Sequence, residues 1–321
     1  MKKNLIRNYR FLSIFIVIFI FWYFFNFIDW KKFIKIFFEV KISIFILGVF
    51  FSLLWPVISA LRWQKILIRF NFNIKFIKSL KITLFAFSAN LFAPAKSGDL
   101  VKIFAHTNIR NKSFLFSGII SDRISDLIVL SILTFIGGIY LKNNMGIILG
   151  ISIFVVILSL ILLNLSFKHK FKNKFIKKLR IIFYNGLNFY SNFSKHILKI
   201  IFLSFINWIL ASVQIWVFFL AFGGDVPLLI VISLFPISVI LSLIPLTPSG
   251  LGVREVSFVY LFMLYSDPQI NLAVSISYFI TNSLFPALMG IYFLDEFFEQ
   301  KKIKNLKIFQ NKVNIRKLLK I

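Results

Sequence analysis

Residues 79–106 read SLKITLFAFSANLFAPAKSGDLVKIFAH. The stretch opens as a membrane helix would, with an apolar run over 80–93, yet Pro94 and Gly98 break it and Lys96, Asp99 and Lys102 follow at once. A full crossing takes about 20 apolar residues, so this run is too short to cross and stop. A second stretch repeats the pattern. Residues 228–244 are apolar, LIPLTPSGLGVRE at 243–255 supplies Pro245, Pro248, Gly250 and Gly252, and a short run over 256–265 follows. Both stretches pass from an apolar run through Pro and Ser-Gly to an acid and a base. Two Pro/Gly-interrupted segments in the two halves of a membrane protein are the sequence sign of an inverted repeat around a midplane site. Broken backbone at that depth is tolerated only where protein buries it or it lines a wet cavity, because lipid cannot pair its N–H and C=O groups.

The rest of the chain fits a membrane setting. Of 321 residues 59% are hydrophobic, and mean hydropathy is +0.88, more apolar than one soluble core requires. The 38 Lys and Arg outnumber the 11 Asp and Glu, for a formal charge of +27. They lie between apolar runs, which points to anchoring at an anionic lipid surface and away from nucleic acid. With no Cys, disulfides, thiolate nucleophiles and Cys-ligated metals are excluded. His106, His169 and His196 are far apart, so neither a metal site nor a Ser-His-Asp arrangement is expected, and no cofactor is implied.

Runs long enough to cross lie at 11–28, 42–60, 115–141, 146–165, 198–222 and 272–294. Basic residues flanking spans stay in the cytoplasm. Lys2, Lys3, Arg7 and Arg10, then Arg62, Lys65, Arg69, Lys75 and Lys78, the stretch 166–199 and the tail from Lys301 are therefore all expected inside. That is consistent only if 80–93 dips in and returns. The loops GGDVP (223–227) and SDPQ (266–269) carry no base and read as external, so 228–265 enters from outside and goes back out. Loop 29–41 is discordant, with Lys31, Lys32, Lys35 and Lys41 against Asp29 and Glu39; an amphipathic helix lying in the interface would accommodate it. The expected fold is an all-α polytopic membrane protein of six transmembrane helices plus two re-entrant hairpins of opposite sidedness, with both termini cytoplasmic in a cell inner (plasma) membrane. It forms one integral membrane domain: a first half to 165, a basic connector 166–197, a second half 198–294 and a basic tail 295–321.

The candidate site residues are charges in or beside these hairpins. SGIISDRISDLIVLSILTFIGG at 117–138 places Asp122 and Asp126 one helical turn apart, with Arg123 offset around the helix. Charges at such depth are costly and face the protein interior, paired with one another or with a substrate. The structural alternative is that Asp122 or Asp126 pairs with Lys102 or Arg254 to hold the hairpins while Arg123 snorkels at the cytoplasmic face. Arg254 and Glu255 follow Gly250 and Gly252, where a half-helix N-terminus and an adjacent cation suit an anionic group such as a lipid phosphate. The competing reading is a local Arg254–Glu255 pair closing a turn. Lys96 and Lys102 suit a phosphate in the first hairpin. Asn90, Asn207, Gln214 and Asn282 read as amides that glue helices, and Trp22, Trp30, Trp55, Trp63 and Trp208 as interface anchors or packing.

The motifs NLFAPAKSGDLVK (90–102), DRISD (122–126) and PLTPSGLGVRE (245–255), in that order, are similar to those of the flippase-like transmembrane domain of lysylphosphatidylglycerol synthases. That family also has many stand-alone members, and the resemblance covers nearly the whole chain. Asp99 and Lys102 stand where the family more often has Glu and Arg, and Asn282 lies near where a basic residue is common. The chain ends soon after its last span, so the soluble aminoacyl-transferase domain of the synthases is expected to be missing. The resemblance implies a transporter rather than an enzyme, moving an anionic lipid between leaflets: a phospholipid or a polyprenyl-phosphate-linked sugar. The alternatives are a membrane-embedded lipid-linked transferase and a non-catalytic partner of a cell-envelope or glycan-assembly complex.

Overall fold

Helix α2 (Ile42–Arg69) shows why this chain folds as it does: its inner face carries Gly48, Ser52, Pro56, Ser59 and Ala60, small residues at about one-turn spacing that let another helix approach closely, and then the buried Trp63. Its outer face carries the exposed Ile46, Leu47, Phe50 and Leu53. Polar inside and apolar outside is the arrangement lipid demands. The computed structural model describes residues 22, 26–93, 96–105, 112–142, 144, 146–148, 150–151, 153–155, 184–187, 189–190, 195–244, 247 and 249–293. Among these, every regular element is helical, which makes the protein an all-α membrane protein. Span 11–28, most of 146–165, connector 166–197, tail 295–321, His106, His169 and the hairpin prolines Pro94, Pro245 and Pro248 lie wholly or largely outside the described residues.

In chain order, α1 (Trp30–Phe38) leads into α2, followed by α3 (Phe76–Phe92), a 3-10 turn (Ser97–Leu100), α4 (Val101–Ala105) and α5 (Lys112–Tyr140). The second half holds α6 (Lys195–Ala221), α7 (Leu228–Ser242), α8 (Val253–Phe262), α9 (Pro268–Phe279), a π segment (Ile280–Leu284) and α10 (Phe285–Tyr292). Three stretches are long and apolar enough to cross a membrane by length and composition: 42–69, 195–221 and 268–292. At 29 residues α5 is long enough, about 43 Å at 1.5 Å per residue, but carries Asp122, Arg123 and Asp126 in its first half.

Both broken segments are hairpins. Gly98 lies so close to the backbone of Ala89 and Asn90 that a Cβ there would collide with it; the chain after the break therefore returns alongside α3. Ile103 then packs with Trp63, Ile66 and Leu67 near the far end of α2. In the second hairpin Gly250, at φ +71°, sits where a Cβ would lie 2.7 Å from the Ser242 carbonyl oxygen, and α8 runs back so that Phe258 and Phe262 meet Phe219 of α6. Gly252, at φ +86°, precedes α8 and donates its N–H to Glu255 Oε2 at 2.6 Å. The hairpins open at opposite ends of the bundle and meet at their tips, where Ser249 N–H donates to the Ala93 carbonyl at 3.2 Å.

Loops 29–41, 222–227 and 263–267 share one end. Lys41 N–H donates to the Ala221 carbonyl at 2.9 Å, and Phe37 packs on Phe222. The discordant loop does contain a helix, α1, capped by Asp29 Oδ1 accepting from Lys32 N–H at 3.1 Å. Its lysines are partly balanced: Lys32 pairs with Asp267 at 2.9 Å and Lys35 with Glu39 at 3.8 Å.

Candidate functional site

Five cations and four acids converge where the hairpins meet. Arg62 of α2 reaches α5, with Nε 2.7 Å from Asp122 Oδ1, Nη2 donating to Asp126 Oδ2 at 3.1 Å, and Nη1 donating to Asp126 Oδ1 and Ser204 Oγ. Lys102 of α4 lies 3.3 Å from Asp122 Oδ2 and 3.6 Å from Asp99 Oδ1, with its ammonium 4.7 Å from the Trp63 ring centroid. Arg123 bridges Asp99, Asp122 at 3.2 Å and Asp126 at 3.4 Å. Trp208 Nε1 donates to Asp126 Oδ1 at 3.1 Å, and Asn90 Nδ2 donates to Asp99 Oδ1 at 3.0 Å. Three cations therefore face three carboxylates in one network at the junction of α2, α5, α6 and the first hairpin. Buried pairs of this kind hold only because each charge is matched by several partners.

Lys96 and the Arg254–Glu255 pair stand apart from that network. Arg254 donates to Glu255 Oε1 from Nη2 at 2.7 Å, and its guanidinium lies 5.4 Å from the ring centroids of Tyr278 and Phe279. The local pair expected as one alternative is thus present. Lys96, at φ +56° on the first hairpin tip, has no carboxylate within ion-pair reach among the described residues, and its ammonium sits 5.4 Å from the Trp208 ring centroid.

All of these cations and Asp99, Asp122 and Asp126 line a cavity of ≈ 80 Å³, together with Asn90, Trp208, Tyr278, Asn282 and Ser283. That space is large enough for several waters. Beside it, Lys96, Arg123, Asp126 and Trp208 also border a groove of ≈ 180 Å³ whose remaining lining is Leu127 and Leu130 of α5 with Val239 and Leu243 at the end of α7. A charged chamber and an oily slot share one wall.

The structure brings Lys96, Asp99, Lys102, Asp122, Arg123, Asp126 and Arg254 around one cavity, while Glu255 is turned to Arg254 and the Gly252 N–H. It corrects two expectations. Arg62, counted among the cytoplasmic flanking bases, is 3% exposed within α2, which continues past Ala60 to Arg69. Of the structural alternative, the Asp122–Lys102 pair is present at 3.3 Å, but Arg123, with 29% of its side chain exposed, is held by three carboxylates where snorkelling was expected. Trp208, read as anchor or packing, does pack against Trp55 and Phe235, and it also donates a hydrogen bond to the site. One signal could have found Arg62: the helical spacing of Ser52, Pro56, Ser59 and Ala60 continues through Trp63 and Ile66, so α2 does not end with the apolar run.

The family described as Lysylphosphatidylglycerol synthase TM region matches residues 10–290. A UPF0104 membrane protein from Methanothermobacter thermautotrophicus is 32% identical over 76 residues, 23% of this chain and 22% of that protein, so the chain covers about a fifth of its length. One from Methanocaldococcus jannaschii is 27% identical over 188 residues, 54% of this chain and 79% of that protein. One from Pyrococcus horikoshii is 25% identical over 283 residues, 77% of this chain and 84% of that protein.

Proposed function

The chain belongs to the lysylphosphatidylglycerol synthase TM-region family, and on that premise we propose that this multi-pass membrane protein moves an anionic lipid, a phospholipid or a polyprenyl-phosphate-linked sugar, between leaflets. The observation that carries the reading is Lys96. Among the described residues it is the cation left over when the five bases here are set against the four acids, it sits on a hairpin tip, and it borders both the charged cavity and the apolar groove between α5 and α7. A phosphate at Lys96 would complete the charge balance while its hydrocarbon tail follows Leu127, Leu130, Val239 and Leu243 toward lipid.

The two halves, to 165 and from 198 to 294, then act as an inverted repeat. One rocks against the other, and the site is exposed to each side in turn. The basic end holding Lys65, Arg69, Lys75, Lys78 and Lys195 is assigned to the cytoplasm of a plasma membrane, with both termini there. Partners in cell-envelope or glycan assembly would supply or consume the lipid.

A transferase would need a carboxylate available as a base. Asp99, Asp122, Asp126 and Glu255 each accept from at least two cationic or N–H donors, which favours the transport reading. The test is leaflet exchange in reconstituted vesicles, read by head-group accessibility across anionic phospholipids and polyprenyl phosphates. One class should exchange faster with protein present, and Lys96→Met should lower that rate roughly tenfold or more, the scale of one charge-assisted hydrogen bond. Protein that accelerates no lipid would overturn the proposal.

A further inference from the structure

Ser117, Ser121 and Ser125 recur at one-turn spacing along α5, and all three are buried. The row ends at the charge network: the Ser125 hydroxyl lies 3.2 Å from Ser204 Oγ, which accepts from Arg62. A polar stripe thus leads from the basic end of the bundle to the acids that line the chamber. What covers this stripe is a piece of the connector, whose sequence over 166–197 holds no apolar run long enough to cross. Its described residues are 184–187 and 189–190. The Tyr190 hydroxyl donates to the Ser121 carbonyl, and the Ser121 hydroxyl donates back to the Gly186 carbonyl at 3.1 Å. Gly186 lies so close that a Cβ there would stand 3.0 Å from Ile120 Cγ2 and 3.2 Å from the Ser117 carbonyl oxygen. Leu187 packs on Ile124, and the buried Phe189 plugs the junction of α2, α4, α5 and α6 beside Leu67, Ile103, Leu115 and Ile200.

The hydrogen bonds of this cover can break at low cost. The Ser121 hydroxyl also reaches the Ser117 carbonyl at 3.0 Å, and the Ser121 carbonyl keeps its place in the α5 ladder, so neither group is orphaned when the connector leaves. The Tyr190 hydroxyl passes to water. The same segment joins the half that holds α5 to the half that begins with α6, so rocking of one against the other must shift or strain it. We propose that the connector at Gly186–Tyr190 is a gate over the serine stripe, closed in this structure, and that lifting it opens the charged chamber to the basic end. The inference rests on the translocation reading only for what passes. It goes beyond that reading in naming the route to one side and the residues that close it.

The test reads access directly, since the native chain has no Cys. Ser125→Cys places a thiol in the stripe, and a membrane-impermeant maleimide is added to oriented vesicles from either side. In that background Tyr190→Phe keeps the ring and removes the latch. It should speed labelling from the basic side roughly three- to tenfold, the weight of one hydrogen bond, and leave labelling from the opposite side unchanged. Gly186→Val, which forces a side chain against Ile120, should act in the same direction. Labelling that neither variant changes overturns the gate, and so does labelling accelerated from both sides, the mark of a loosened fold. A second measurement pins the gate shut: Ile124→Cys with Leu187→Cys, joined by a short reducible thiol cross-linker, should stop leaflet exchange until reduction restores it. Exchange that survives complete cross-linking overturns the gate and leaves translocation standing. A protein that moves no lipid sinks translocation alone, because the sidedness of labelling still decides for or against the gate.

Discussion

Single residues in the cavity divide into those that hold the fold and one that does not. Arg62→Met removes a cation on which Asp122 and Asp126 both lean, and breaking a buried pair costs about 3–5 kcal/mol. The variant should unfold at markedly lower temperature in detergent, and Asp126→Leu added to it should recover part of the loss in a double-mutant cycle. Lys96→Met leaves no carboxylate unpaired, so its melting temperature should stay at or above wild type. An equal loss in both variants would place Lys96 inside the structural network. At this scale the sequence announced the acids well, since charged residues inside an apolar run are conspicuous. It hid Arg62, whose position two residues beyond an apolar run looks like a membrane flank until α2 is seen to continue through it.

At the scale of elements, the hairpins were legible because Pro and Gly interrupt apolar runs at a depth where lipid tolerates no open backbone. What sequence could not supply was how closely the returning chain lies against its own helix. Gly98→Ala would drive a methyl group into the Ala89–Asn90 backbone and push the return segment, with Asp99 and Lys102, off α3. Overpacking of this kind costs about 1–3 kcal/mol, and limited proteolysis should cut the 96–105 region faster than in wild type. Unchanged cleavage would mean the hairpin relaxes without opening. The last span gives a second lesson: the apolar run 272–294 reads as one helix, yet a π segment divides α9 from α10 at Asn282, a defect of hydrogen-bond register that composition does not report.

Across the whole molecule, topology was read from lysines, and the discordant loop 29–41 shows the limit of that method. Its four lysines share their end of the bundle with Asp29 and Glu39 and with Asp225 and Asp267 of neighbouring loops, so the local excess disappears once loops distant in sequence are brought together; Lys142 at the end of α5 adds one base. The tip contact between Ala93 and Ser249 offers a global test. A backbone hydrogen bond brings Cα atoms into the range that a disulfide spans, and the native chain has no Cys to interfere. Ala93→Cys with Ser249→Cys should cross-link on oxidation and arrest exchange, and reduction should restore it; exchange that persists through a complete cross-link would mean the tips do not part. That same contact has an electrical side. An anionic head group passing between tips that enter from opposite ends carries a negative charge through the transmembrane field, about 2.3 kcal/mol per 100 mV. A cell's resting voltage would then set a preferred direction for the cargo without any fuel-burning motif, and reversing the voltage across a vesicle would reverse the preference.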